Sequence, residues 1–332
     1  MKYRLMGRSG LRVSELALGA MTFGTEGWGA GEDESRSVYD GFREAGGNFI
    51  DTANVYSEGR SETFLGEFIR GERERIVLAT KYTAPMRRRD VNAGGNSRKL
   101  MMDSVHASLK RLQTDYIDLY WVHARDFTTP IDEVMRGLDD LVRQGKVLYV
   151  GISDTPAWEV SRANMLAELR GWTAFVGLQI RYSLLDRAAE RDLLPMAKTL
   201  DLTVTPWDTL GSGVLTGKYN ADDTAVGRAA MRGDVPQRDL GIAAEVVKVA
   251  QEIGRSPAQV ALAWVRQGTG VIVPLVGART RTQLDDNLGC VDLELDADRK
   301  KRLDDASRIE LGFPHDFLRE RMGVRGLENH RA

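Results

Sequence analysis

Four side chains among the first 123 residues have the types and spacing for acid–base chemistry. Asp51 and Tyr56 follow the strand-like apolar run Asn48-Phe49-Ile50, within the stretch DTANVYSEGRSE (51–62). The run IVLATK closes on Lys81, and YIDLYWVH closes on His123. A free tyrosine has a pKa of about 10, too high to exchange protons freely at neutral pH. A nearby ammonium stabilises the phenolate, each unit of lowering corresponding to about 1.4 kcal/mol. Lys81 can supply that charge, and Asp51 can hold Lys81 protonated and in place. His123 can donate to, and orient, a carbonyl oxygen. Such a group protonates an oxyanion as it forms, which suits reduction of a carbonyl by hydride. Taken singly, each residue has a duller reading: a turn or cap for Asp51, packing for Tyr56, a solvated strand end for Lys81, a core position for His123. Their recurrence at the ends of three successive strands argues for one shared pocket. The same residues also allow a barrel lyase or aldolase in which Lys81 forms a Schiff base. The other histidines, His106, His315 and His330, read as structural or solvent-exposed.

The elements that must position these residues alternate short β-branched runs with longer amphipathic ones. The strand candidates are LALGA, NFIDTA, IVLATK, YIDLYWVH, VLYVGIS, FVGLQIRYS, LTVTPWD and VIVPLVG. Helical patterns follow them, and Pro130, Pro156 and Pro257 sit near helix starts, where a missing N–H costs nothing. Eight β-then-α units in one chain of 332 residues predict a single α/β domain over 1–332, a (β/α)8 TIM barrel. Active sites of that architecture sit at the C-terminal ends of the strands, where all four candidates lie. A doubly wound sheet is the rival. It would carry a GxGxxG turn after its first strand, whereas here GAMTFG has the wrong glycine spacing. The opening YRLMGRSGLRVSE reads as a β-hairpin turning near Arg8-Ser9-Gly10, a plug for the barrel floor. Two long loops, after Tyr82 and between Leu210 and Asp239, should lie on the catalytic face. The tail from Leu311 has some helical pattern and then charges.

Composition narrows the functional classes. A formal net charge of -2 gives no reason to expect nucleic acid or an anionic membrane as partner. The start MKYRLMGRSG lacks the apolar stretch of a secretory signal, and no apolar run reaches the roughly 20 residues that span a bilayer. The one cysteine, Cys290, excludes an intrachain disulfide and a Cys-rich zinc site and reads as a small hydrophobe. No metal is expected, and a reducing cytoplasm fits best.

The segments DTANVYSEGRSE, LATKY, GGNSRKLMMDSVHASLKRLQTDYIDLYWVHARD and QGKVLYVGISD resemble the aldo-keto reductases, NADPH-dependent enzymes on a TIM barrel. The likeness runs from about Leu5 to Leu295 and is greatest to the subgroup of aryl-alcohol-dehydrogenase-like reductases and potassium-channel β subunits. It implies Tyr56 as general acid, Lys81 as the group that lowers its pKa, Asp51 as the partner of Lys81, and His123 as the residue that positions the carbonyl. It also implies an extended NADPH across the barrel mouth. Ser153, Asp154 and Gln179 match the positions that hold its carboxamide, although Asp154 stands where members often have Asn. An Asp can accept from the amide N–H but cannot donate to its oxygen. Trp207 matches the aromatic that stacks on nicotinamide. The loop TLGSGVLTGKY offers backbone N–H groups from Leu210 through Ser212 and Gly213 to Leu215, with a cation at Lys218, as a cradle for pyrophosphate. In GARTRTQLDDNL, Gly277, Ala278, Arg279 and Thr280 lead into a helix whose N-terminus favours anions. Gln283, Asp286 and Asn287 can reach ribose and adenine, and Arg279 can bind a 2′-phosphate. The resemblance implies a small-molecule carbonyl substrate and allows a homo-oligomer. It also allows a second class, a redox-sensing regulatory subunit that binds NADPH and turns over slowly. Met21, Trp28 and Trp121 fit equally an apolar pocket wall suited to aryl or terpenoid carbonyls and ordinary packing, with sugar ketones also open. Arg87, Arg88 and Arg89 hint at an anion clamp.

Overall fold

Parallel strands close into a ring around an interior filled by side chains. The computed structural model describes residues 1–87, 89–221, 229, 231 and 233–321. Strands β1 (Tyr3–Leu5) and β2 (Arg12–Ser14) pair antiparallel as the expected hairpin. The barrel strands follow: β3 (Ala17–Gly19), β4 (Phe49–Asp51), β5 (Val77–Tyr82), β6 (Ile117–Val122), β7 (Val147–Ser153), β8 (Phe175–Arg181), β9 (Thr203–Trp207) and β10 (Leu275–Val276). They lie in chain order, each parallel to the next, and β10 pairs with β3. Closure between β9 and the last strand comes from a parallel bridge of Val204 to Ile272. There Val204 N–H donates to Val271 O at 2.9 Å and Val273 N–H to Val204 O at 2.8 Å. The run VIVPLVG is therefore the eighth strand, interrupted at Pro274, which has no N–H to give. The fold is the (β/α)8 TIM barrel.

The helices are α1 (Glu32–Glu44), α2 (Arg60–Phe68), α3 (Arg98–Leu112), α4 (Ile131–Arg143), α5 (Ala157–Arg170), α6 (Leu193–Thr199), α7 (Lys218–Ala221), α8 (Gln237–Ile253), α9 (Pro257–Arg266), α10 (Arg281–Leu288), α11 (Ala297–Ala306) and α12 (His315–Arg321). Pro130 and Pro156 cap α4 and α5, and Pro257 is the first residue of α9. Helix α11 has no counterpart among the expected units. Only Leu303 of it is buried, so no apolar stripe marked it in the sequence. Arg88, His330, the rest of the 322–332 tail and residues 222–228, 230 and 232 of the long insertion lie outside the described residues. Among the described residues no helix is long and apolar enough to cross a membrane, and no cluster of His, Cys, Asp or Glu is arranged to hold a metal ion.

Period-two alternation separates two cores. Ile50, Leu78, Tyr120, Val122, Ile152 and Leu178 face the helices. Phe49, Val77, Ala79, Leu119, Trp121 and Val273 fill the barrel, over Met6 and Val13 of the hairpin. The plug is tied down where Gly7 N–H donates to Thr203 Oγ1 at 2.8 Å and that hydroxyl donates to Leu5 O at 3.0 Å. Trp121 is fully buried here and is not the pocket wall expected of it. Glycines on the next two strands make its room. A Cβ at Gly151 would lie 2.3 Å from ring carbon Cε3 of Trp121, and one at Gly177 2.8 Å from Cη2.

Gly151→Ala should therefore destabilise the fold by about 1–3 kcal/mol through overpacking. Trp121→Phe in the same chain should recover part of that loss. Denaturant unfolding of the two variants measures both effects, and an unchanged midpoint for Gly151→Ala would contradict the packing described.

Candidate active site

The barrel alternation that buries Phe49, Ala79 and Trp121 also turns Asp51, Lys81 and His123 inward, one layer nearer the strand ends. Asp51 is opposite Ala79, and Lys81 opposite Trp121. Tyr56 is returned to this layer by a tight turn. Ser57 and Glu58 are left-handed at φ 51° and 58°, and Gly59 at φ 92° completes the reversal into α2. The remaining polar residues of DTANVYSEGRSE anchor that turn. Thr52 and Ser61 share a hydroxyl bond of 2.8 Å, Ser61 donates to Ala20 O at 2.8 Å, and Ser57 donates to Phe23 O at 2.9 Å. Glu62, fully buried, accepts from Thr80 Oγ1 at 2.5 Å and from Arg111 Nε at 2.6 Å, fastening α2 to β5 and α3.

Lys81 is completely enclosed and donates to three oxygens: Asp51 Oδ1, Thr52 O at 2.8 Å and Tyr56 Oη at 3.3 Å. Three N–H groups thus meet three acceptors. The other Asp51 oxygen accepts from Gln179 Nε2 at 3.0 Å. Both carboxylate oxygens face N–H donors, so the site is built for the ion pair. Burial opposes charge on Lys81, but Asp51 and Tyr56 outweigh it and hold the ammonium above its ordinary pKa. Burial likewise raises Asp51, with Lys81 pulling it back only in part. An amine so held has neither a lone pair nor an approach for a substrate, which removes the Schiff-base reading.

Tyr56 departs from expectation in sign. Burial lifts its phenol above the usual value of 10.0, Lys81 pulls it down, and the Asp51 carboxylate pushes it up again, with a net rise. The resting phenol therefore keeps its proton, with the Lys81 ammonium 3.3 Å from its oxygen. The His123 ring meets the Tyr56 ring edge-on, centroids 5.9 Å apart. Burial, and secondarily the charge of Lys81, lower the imidazole pKa to about 3. Its Nδ1 is buried without a partner.

Asp51, Tyr56 and His123 open into a cavity of about 670 Å³, large enough for a cofactor-sized molecule. Ser153, Asp154, Gln179 and Trp207 line the same end, with the Ser153 hydroxyl buried and unpartnered. Asp154 Oδ1 accepts from Trp207 Nε1 at 3.1 Å. Leu210, Ser212, Gly213 and Lys218 form one bank, and Gly277, Arg279, Gln283, Asp286 and Asn287 the far end. Met21 and Trp28 contribute an apolar wall. Among the described residues no carboxylate pairs with Arg279, whereas Arg281 is tied to Glu44 and Asp285 at 2.7 and 2.8 Å. Asp286 accepts from Ser256 Oγ and Gln259 Nε2, both at 2.9 Å, and so braces α10 against α9.

Several expected residues are placed otherwise. Leu215 is in the hydrophobic core, and its N–H donates to Leu210 O at 3.2 Å. The amides of Gly211 and Gly213 also donate within the loop, and that of Ser212 donates to Asp208 Oδ1 at 2.6 Å. Of the expected cradle, the amides of Gly211, Ser212, Gly213 and Leu215 are thus engaged within the loop, two of them by Asp208, a residue the sequence pattern did not single out. Thr280 does not line the cavity, because its hydroxyl caps α10 by accepting from Gln283 N at 3.3 Å. Arg87 pairs with Asp90 at 2.8 Å, and neither Arg87 nor Arg89 reaches the cavity.

Comparison with known proteins agrees with this geometry. The model of the Aldo/keto reductase family matches residues 15–308. Norsolorinic acid reductase of Aspergillus flavus is 41% identical over 329 residues, covering 95% of this chain and 83% of that protein. Norsolorinic acid reductase B of Dothistroma septosporum is 40% identical over 338 residues, with coverage of 96% and 84%. Aryl-alcohol dehydrogenase (NADP(+)) of Phanerodontia chrysosporium is 39% identical over 329 residues, with coverage of 92% and 86%.

With its pKa lowered to about 3, the His123 imidazole should stay neutral from pH 8 down to 5. Side-chain NMR should then find one histidine whose shifts do not move over that range and whose signal is lost in His123→Asn. A His123 signal titrating near 6.5 would refute this placement.

Proposed function

The chain belongs to the aldo/keto reductase family, and on that premise we propose that it reduces aldehyde or ketone carbonyls to alcohols with NADPH. The observation that carries this reading is the enclosed contact of Lys81 with both Asp51 and Tyr56 beneath a cavity open to substrate. NADPH supplies the hydride when bound. The rest of the chemistry falls to this chain's own side chains.

A carbonyl oxygen reaching between Tyr56 and His123 meets two donors. His123, neutral, orients it through one ring N–H and adds no charge to a pocket that already holds the Lys81 ammonium. Tyr56 gives its proton as charge gathers on the oxygen. The phenolate left behind lies 3.3 Å from Lys81 Nζ, so the negative charge arrives beside a fixed positive one. Because the resting phenol lies above its ordinary pKa, the acid form is fully populated at neutral pH and is lost only as pH rises through that raised value.

The cavity suits the cofactor on its own evidence. Ser153, whose hydroxyl has no partner among the described residues, and Gln179 both line the cavity and would serve as partners for a carboxamide. Arg279, which no carboxylate pairs with among the described residues, lies beside the N-terminus of α10 and suits a phosphate. Trp207 presents an indole held by Asp154. Met21 and Trp28 favour an aromatic carbonyl compound as substrate, in keeping with the aryl-alcohol dehydrogenase among the relatives.

Tyr56→Phe should lower kcat for carbonyl reduction by about 10²–10⁴-fold, because it removes the proton donor. Its NADPH dissociation constant should stay within about threefold of the wild type, since the ring remains. Steady-state rates over a panel of aryl and aliphatic carbonyls, with NADPH consumption as readout, test both the role and the substrate class. An unimpaired Tyr56→Phe enzyme would remove the proposed acid. Separately, Arg279→Ala should weaken NADPH by roughly tenfold or more, as expected for a lost charge-assisted contact, and leave NADH nearly unchanged. Equal losses for the two nucleotides, measured by fluorescence titration, would reject Arg279 as the 2′-phosphate partner.

A further inference from the structure

We propose that Asp154 makes this pocket distinguish the two redox forms of its nucleotide, holding the oxidised, positively charged ring more tightly than the neutral reduced one. The inference rests on the NADP(H) reading above and concerns a charge at a position where this chain departs from the pattern it resembles.

The geometry presents a carboxylate and keeps it there. Asp154 follows the last residue of β7, and its N–H donates to Gln179 O at 3.2 Å. The backbone is left-handed at φ 42°, a conformation that Asp and Asn tolerate better than other side chains. The side chain opens into the cavity and Oδ1 accepts from Trp207 Nε1 at 3.1 Å. That indole N–H is a neutral donor, so it fixes the carboxylate without cancelling its charge.

A charge count at this end of the cavity isolates Asp154. Asp51 is in direct contact with Lys81, and Asp208 lies 3.3 Å from Arg181, a cation that it shares with Asp186 at 3.6 Å. Among the described residues Asp154 has no cationic partner within ion-pair distance; burial lifts its carboxyl above the usual carboxylate range, while the Trp207 N–H and the more distant Lys81 ammonium favour the charged form, so any charge it carries is not cancelled by direct contact. Transfer of a hydride out of the ring leaves that ring with one positive charge, while the hydride goes to the carbonyl carbon and the Tyr56 proton to its oxygen. The phenolate so formed is met by Lys81, and the new ring charge by Asp154. Two oppositely signed charges develop in hydride transfer, and each has a fixed counter-charge waiting. With the cavity filled and water displaced, the interaction is screened far less than a surface pair. A neutral ring gains nothing from the same carboxylate.

Asp154→Asn separates charge from shape. Asn accepts the Trp207 N–H through its carbonyl oxygen and tolerates the same backbone; it removes the charge and adds an N–H donor that acts on the carboxamide of both redox forms alike, so the ratio of the two constants reports the charge. Fluorescence titrations at low salt with NADP⁺ and NADPH should show the NADP⁺ dissociation constant rising about tenfold or more, while that for NADPH moves by less than about threefold. Trp207→Phe keeps the charge and drops the indole donor, and it should leave the ratio of the two constants near that of the wild type. Equal shifts for both nucleotides in Asp154→Asn, or no shift in either, would overturn the inference and leave Asp154 a brace for Trp207. Failure of the wild type to bind either nucleotide would instead overturn the NADP(H) reading on which the inference stands.

Discussion

Burying Lys81 and Asp51 together is the constraint on which the rest of this structure depends. Each ion costs several kcal/mol to remove from water, and mutual attraction offsets that only with near-complete hydrogen bonding. The required partners come from separate places in the chain. Thr52 and Tyr56 come from the turn after β4, and Gln179 from β8 across the barrel. Only a closed barrel brings an amide at residue 179 to a carboxylate at residue 51. The pair therefore ties the chemistry to ring closure, and any slip of one strand by one residue would turn Asp51 or Lys81 out toward the helices.

Beneath that pair the barrel is a packed solid. Trp121 occupies the layer between the apolar floor and the ion pair, and Gly151 and Gly177 give up their side chains to admit it. The hairpin closes the floor with Met6 and Val13. A firm floor keeps the ammonium dry, and dryness gives its charge leverage over the Tyr56 phenol. In the proposed reaction this arrangement reconciles two demands on Tyr56. Burial keeps its proton in place at rest, and Lys81 would stabilise the phenolate when the proton goes.

Much of this was legible before any coordinates. Eight β-then-α units, prolines at helix starts and reactive residues at strand ends are local patterns, and local patterns survive into the fold. The departures have physical causes of one kind. Helix α11 buries a single leucine and so showed no stripe. Trp121 looked like a pocket wall because the glycines that house it lie on two other strands. The loop from Leu210 to Leu215 looked like a set of free N–H groups until Asp208 and the loop's own carbonyls engaged them. Thr280 turned to its own helix end, and Arg87 to Asp90. In every case but α11 the competing partner was not part of the pattern being read.

The sequence by itself determined the alternation of elements, the side of the barrel on which Asp51, Tyr56, Lys81 and His123 stand, and the chemical types available there. Those follow from periodicity and residue identity, which are properties of short segments. Tertiary structure alone decided the balance of charges: that burial outweighs Lys81 at the resting phenol, that His123 is held neutral, that among the described residues no carboxylate pairs with Arg279 while two pair with Arg281, and that Asp154 meets the Trp207 N–H rather than a cation. Ionisation depends on every neighbour within several ångströms, and those neighbours meet only when distant strands close the ring.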